Sequence, residues 1–125
     1  MKKIFTDKAP AAIGPYSQAM VVGDLVYTSG QIPINPASGN IEATDIKGQT
    51  EQVCKNLTAV LEAAGSSADG VVKTTCFLSD MSDFAAFNEV YARYFPSCPA
   101  RSCVAVKALP KGSLVEVEAV AEVIS

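Results

Sequence analysis

The 125-residue chain contains no histidine. Imidazole is the side chain whose ordinary pKa best suits general-base work near neutral pH. Without it, neither a Ser–His nor a Cys–His dyad can be built from this sequence. Charge is scarce as well: Asp, Glu, Lys and Arg make up 18% of the residues against 49% apolar, and mean hydropathy is +0.23. The ten Lys and Arg are scattered, with Lys2-Lys3 the only adjacent pair, and the net charge is −3. Nucleic-acid binding draws on a basic stripe that displaces counterions from phosphates, so no nucleic-acid partner is expected. No apolar run approaches the ~18 residues of a membrane span. The opening Met-Lys-Lys runs into Asp7, Lys8 and Pro10 rather than an apolar signal core. No membrane partner and a cytoplasmic location are therefore expected.

Cys54, Cys76, Cys98 and Cys103 include no Cys-x-x-Cys pair and have no histidine as co-ligand. That spacing argues against zinc, and no metal or cofactor is expected. In a reducing compartment these are free thiols, and Cys54 and Cys76 lie in apolar patterns as small core residues. Linkers, internal repeats and low-complexity segments are lacking too, so residues 1–125 read as one compact domain. A chain of this length buries roughly two-thirds of its unfolded surface and needs no disulfide or metal. The apolar excess points to a subunit interface, because monomers rarely expose large apolar patches.

Several elements can be read directly. Residues 19–22 and 25–28 are short apolar runs separated by Gly23-Asp24, a hairpin signature. Ile4-Phe5 is a weak strand before them, and Gly30 to Gly39 reads as an ordered loop rich in Gly, Pro and Asn. Val53, Leu57, Val60, Leu61 and Ala64 recur at helical spacing, with Thr44 or Asp45 to cap the start and Gly65 the end. A strand follows over Val71 to Leu78. The second helix starts within 79–83 and turns Phe84, Phe87, Val90, Tyr91 and Tyr94 inward; Pro96 and Pro99 stop it. Two strands close the chain, Arg101–Lys107 and Leu114–Val123, for the order β-β-β-α-β-α-β-β. A right-handed crossover places both helices on one face of the sheet.

Alternation assigns the faces of the last two strands. Val115, Val117, Ala119, Ala121 and Val123 share one side; Leu114, Glu116, Glu118, Val120 and Glu122 share the other. If Ser102, Val104 and Val106 meet the helices, Arg101 and Cys103 fall on the side of Glu116 and Glu118, away from them. That grouping reads equally as a binding surface or as a solvated face with ordinary ion pairs. Arg101 stands out either way, because a planar fork at the mouth of a strand can grip a carboxylate through two parallel hydrogen bonds.

Four segments carry a resemblance: Ala12-Ile13-Gly14-Pro15-Tyr16-Ser17-Gln18-Ala19, Ser29-Gly30-Gln31-Ile32-Pro33, Pro99-Ala100-Arg101-Ser102 and Val115-Glu116-Val117-Glu118-Ala119. In this order and spacing they resemble the Rid family, also called YjgF, and most closely its imine and enamine deaminase branch. The resemblance spans essentially the whole chain. It implies an α+β, chorismate-mutase-like fold, with a mixed β-sheet carrying two helices on one face. It also implies a homotrimer with inward-facing sheets and a ligand cleft between each pair of neighbours. Arg101 is then the carboxylate clamp and Glu116 the residue that orients or deprotonates a water. Tyr16 forms an aromatic wall, Ser29 and Gly30 line the ligand, Asn88 supports the site from behind, and Cys103 lends a backbone group. Glu118 and Glu122 are structural.

The implied reaction is hydrolysis of 2-imino acids or their enamine tautomers, such as 2-iminobutanoate and 2-iminopropanoate, to 2-oxo acids and ammonia. Pyridoxal-phosphate-dependent dehydratases release such species and are the expected functional partners. Other readings remain beside it. The same clamp can bind 2-oxo acids without turnover, a trimer can serve as a holdase, and some relatives are described as ribonucleases.

Overall fold

The computed structural model describes residues 1–124, and Ser125, the last residue of the expected domain, lies outside the described residues. Gly23 adopts φ +59 in the turn between β2 (Ala19–Val22) and β3 (Leu25–Thr28), a conformation glycine takes without a steric penalty. β1 is Lys2–Ile4, one or two residues earlier than expected, and pairs antiparallel with β2. Helix α1 runs Ile46–Ala63, and Asp45 Oδ1 caps it by accepting from the Gly48 N–H at 3.3 Å. It ends as Gly65 turns to φ +83 and the Ser66 N–H donates to the Leu61 carbonyl. β4 (Val71–Leu78), α2 (Phe84–Tyr94), β5 (Ala100–Ala105) and β6 (Val115–Glu122) follow.

The six strands form one sheet in the order β1-β2-β3-β6-β4-β5. Only β4 and β5 run parallel, joined by the α2 crossover. The mixed sheet with both helices on one face is the α+β arrangement expected. Val53, Cys54, Leu57, Val60 and Leu61 of α1 and Phe87 and Tyr91 of α2 share one core with Val26, Cys76, Leu78, Val115, Val117, Ala119 and Ala121. A hydrogen bond of 2.7 Å between Tyr91 Oη and Thr74 Oγ1 ties α2 to this side of β4 inside the core.

Strand register corrects one expectation. Cross-strand partners point to the same side of a sheet. Arg101 pairs with Thr74 and Cys103 with Cys76, while Thr74 and Cys76 pair with Ala119 and Val117. Arg101 and Cys103 therefore lie on the helix side, opposite Glu116 and Glu118. Ser102 and Val104 align through Thr75 and Phe77 with Glu118 and Glu116 on the uncovered face. Alternation was legible, but its polarity was not. β5 is an edge strand, so its apolar residues serve the open face, where Val104 is 47% exposed. Met20, Val22, Tyr27 and Val120 lie on the same open face by register, beside Glu116, Glu118 and Glu122.

Candidate functional site

Glu116 points from β6 onto the open face, and its place is set by the backbone beside it. The Gln31 N–H donates to the Val117 carbonyl at 2.8 Å and the Val117 N–H to the Gln31 carbonyl at 3.2 Å. This isolated bridge brings Gly30 against Glu116 so closely that a Cβ at position 30 would overlap Glu116 Oε2. Burial, with a smaller contribution from the Glu118 carboxylate, pushes the Glu116 carboxyl above the usual carboxylate range. Tyr16, Ser29, Gly30, Ile32, Pro110 and Glu116 line a cleft of about 390 Å³. The Ser29 hydroxyl donates to the Ser17 carbonyl, which fastens the Tyr16 loop to the end of β3. Tyr16 itself is 53% exposed.

Arg101 lies on the opposite side of the sheet. Its Nη1 donates to Asn88 Oδ1 at 2.8 Å. Its guanidinium carbon lies 4.9 Å from the centre of the Tyr91 ring, 5.5 Å from Phe84 and 5.8 Å from Phe87, within cation–π range. Phe84, Asn88 and Tyr91 are spaced i, i+4, i+7 and form one stripe of α2. This cradle explains why a cation is tolerated on the helix side. Among the described residues the ion pairs are Lys47–Glu89 and Glu89–Arg93, so Arg101 has no carboxylate partner there. Asn88, Tyr91, Phe95, Cys98, Pro99 and Arg101 are among the residues lining a cleft of about 460 Å³.

The two clefts share no lining residue. The structure brings Tyr16, Ser29, Gly30 and Glu116 together, and separately Arg101 and Asn88. Cys103 lines neither cleft; its side chain packs against the core, and burial raises its thiol pKa while Arg101 opposes the rise. The buried Cys54 and Cys76 thiols are pushed up to about 12, chiefly by desolvation. Sequence reading treated the α2 aromatics as core, so the ring cradle went unseen. The i, i+4, i+7 spacing of Phe84, Asn88 and Tyr91 was the available signal. It also missed Asn56, a buried residue whose Nδ2 donates to the Ile32 and Ile34 carbonyls at 3.1 and 2.9 Å and so pins the loop beside Glu116.

Among the described residues no group of His, Cys, Asp or Glu is arranged to hold a metal ion, and no helix is long and apolar enough to cross a membrane.

Comparison with known proteins adds a second line of observation. The family model for endoribonuclease L-PSP matches residues 6–123. A RutC family protein of Pyrococcus horikoshii is 56% identical over 119 residues, covering 94% of each chain. The mouse 2-iminobutanoate/2-iminopropanoate deaminase is 50% identical over 121 residues, covering 96% of this chain and 90% of its own. The crystal structure of the YjgF gene product of Escherichia coli superimposes with a TM-score of 0.93 at 45% identity, covering 98% of both chains. The open mixed sheet, the helical layer and these matches over nearly the full length agree: the chain belongs to the Rid (YjgF, endoribonuclease L-PSP) family.

Proposed function

We propose that the protein is a hydrolytic deaminase of small 2-imino acids, 2-iminobutanoate and 2-iminopropanoate, acting as a homotrimer whose sites lie between protomers. The observation that carries this reading is Arg101, held by Asn88 and three rings with no carboxylate beside it among the described residues. The similarity to the mouse deaminase supports it. Arg101 of one protomer grips the substrate carboxylate, and the Glu116 cleft of a neighbour receives the imine. The apolar open sheet face is the surface through which such neighbours pack.

The steps need no cofactor. Glu116 holds a water and accepts its proton as the oxygen bonds to the imine carbon. The electron pair of the C=N bond moves to nitrogen, which takes up the proton that Glu116 accepted. The hydroxyl of the tetrahedral adduct then passes its proton through the Glu116 carboxylate to the amine as the carbonyl forms and the C–N bond breaks, releasing ammonia. A carboxyl with a raised pKa is a stronger base than an ordinary one. Tyr16 walls the ligand, Ser29 and Gly30 line it, Asn88 fixes the clamp, and Cys103 contributes a backbone group. Imines hydrolyse quickly in water, so positioning with modest base assistance suffices. Pyridoxal-phosphate dehydratases acting on serine or threonine supply this class of substrate.

The family description names an endoribonuclease. Net charge −3 and the absence of histidine weigh against phosphodiester chemistry on a polyanion. The test mixes the protein with a threonine dehydratase and threonine and follows decay of the imine by absorbance. Acceleration that disappears in Arg101→Ala supports the deaminase; decay at the spontaneous rate leaves a 2-oxo-acid-binding module instead.

A further inference from the structure

Arg101 stands on β5, the edge of the sheet, so a neighbouring strand steadies it on one side only. Its register partner on β4 is Thr74, a buried residue pointing to the same side. Thr74 Oγ1 shares the 2.7 Å hydrogen bond with Tyr91 Oη. The Tyr91 ring is in turn the one nearest the guanidinium, at 4.9 Å. The three residues close a circuit: β5 to β4 through the ladder, β4 to α2 through the hydroxyls, and α2 back to the cation through the ring face.

Of the three rings around Arg101, only that of Tyr91 carries a polar anchor. It is wedged between Phe87 and Phe95, both fully buried, with ring centres 5.4 and 4.7 Å away. Such packing limits the tilt of the ring, and the hydroxyl ties its far end to β4. Burial raises the Tyr91 hydroxyl above the ordinary tyrosine range, with the Thr74 hydrogen bond and the Arg101 charge opposing the rise. Tyr91 therefore stays neutral near pH 7 and does not act as a counter-ion to the guanidinium. Asn88 occupies Nη1, so the fork is held at one nitrogen and on one face while its other N–H groups keep a set direction.

We propose that Tyr91, anchored by Thr74, is a positioning residue that aims Arg101 at the substrate carboxylate. The inference rests on the reading of Arg101 as the carboxylate clamp of a deaminase. A fork already held in its gripping direction loses little freedom when an anion binds. The carboxylate is gripped in the ground state and the transition state alike, so a loosened clamp raises KM and leaves kcat nearly unchanged.

The test removes either end of the anchor with little change of shape, in Tyr91→Phe and Thr74→Val. With 2-iminobutanoate generated by a threonine dehydratase, each substitution should raise KM about tenfold, since small misplacements of a binding group are costly. The value of kcat should stay within about twofold. Calorimetry with 2-oxobutanoate should show Kd rising by the same factor as KM. A loss of stability alone would instead lower the number of binding sites and leave Kd and KM at the parental values. The double variant orphans neither hydroxyl of the pair, so it should melt above either single variant and still show the raised KM and Kd. Thr74→Ser, which keeps the hydroxyl, should bring Kd back toward the parental value. Parental Kd in both single variants, recovery of Kd together with stability in the double variant, or a loss confined to kcat overturns the proposal. If the unmodified protein does not accelerate imine decay, the deaminase reading has failed, and the 2-oxobutanoate titrations alone decide the role of Tyr91. Absence of 2-oxobutanoate binding by the unmodified protein overturns that role too.

Discussion

Gly30 has no side chain because Glu116 occupies the space where one would stand. Gly30→Ala is expected to displace the carboxylate and lower kcat/KM for 2-iminobutanoate by tenfold or more, since misplacement by about 1 Å can cost ~100-fold. The far-ultraviolet circular dichroism spectrum should remain that of the unmodified protein. Glu116 also predicts the shape of the acid limb. Its carboxyl is raised first by desolvation and then by Glu118, so activity carried by the carboxylate form falls as pH drops through a value above the ordinary glutamate range. Removing the Glu118 charge removes one of the two raising causes. In Glu118→Gln the acid limb of log kcat/KM should therefore move to lower pH; a limb that stays put or moves up contradicts the assignment of Glu116. Arg101 could be singled out from the sequence as a planar fork at the mouth of a strand; Glu116, which alternates with Glu118 and Glu122 on one face, was singled out through the family resemblance alone. The ring cradle around Arg101 could not, because aromatics at helical spacing read first as core.

Helix limits were legible because capping is local chemistry. Asp45 and Gly65 bracket α1 where expected, and Gly23-Asp24 marks its hairpin. The orientation of β5 was not legible, because alternation fixes which residues share a side but not which side meets the helices. That depends on β5 being the sheet edge, a fact of strand order rather than of local sequence. Long-range polar anchors were equally hidden. Asn56 lies in the middle of α1 and reaches carbonyls more than 20 residues away in sequence. Replacing it with Ala leaves the Ile34 carbonyl without its donor, while the Ile32 carbonyl keeps the Ile34 N–H. A loss of about 1–3 kcal/mol is expected for the group so orphaned, read from urea unfolding. The loop bearing Ile32 and Ile34 should exchange its amide hydrogens faster.

The open side of the sheet is half apolar, with Val22 44%, Tyr27 46% and Val104 47% exposed, beside a row of glutamates. A solution mass near three times the 13.1 kDa chain is expected. Val104→Asp, at a position whose exposure spares the monomer's core, should shift that mass toward the single chain; an unshifted mass would place the interface elsewhere. The guanidinium and the Glu116 carboxylate stand on opposite sides of the same sheet, and this has a genetic corollary. Two defective alleles, Arg101→Ala and Glu116→Gln, should complement each other when co-expressed. Random mixing in equal amounts gives roughly a quarter of all junctions both intact groups, so inactive parents should yield active offspring.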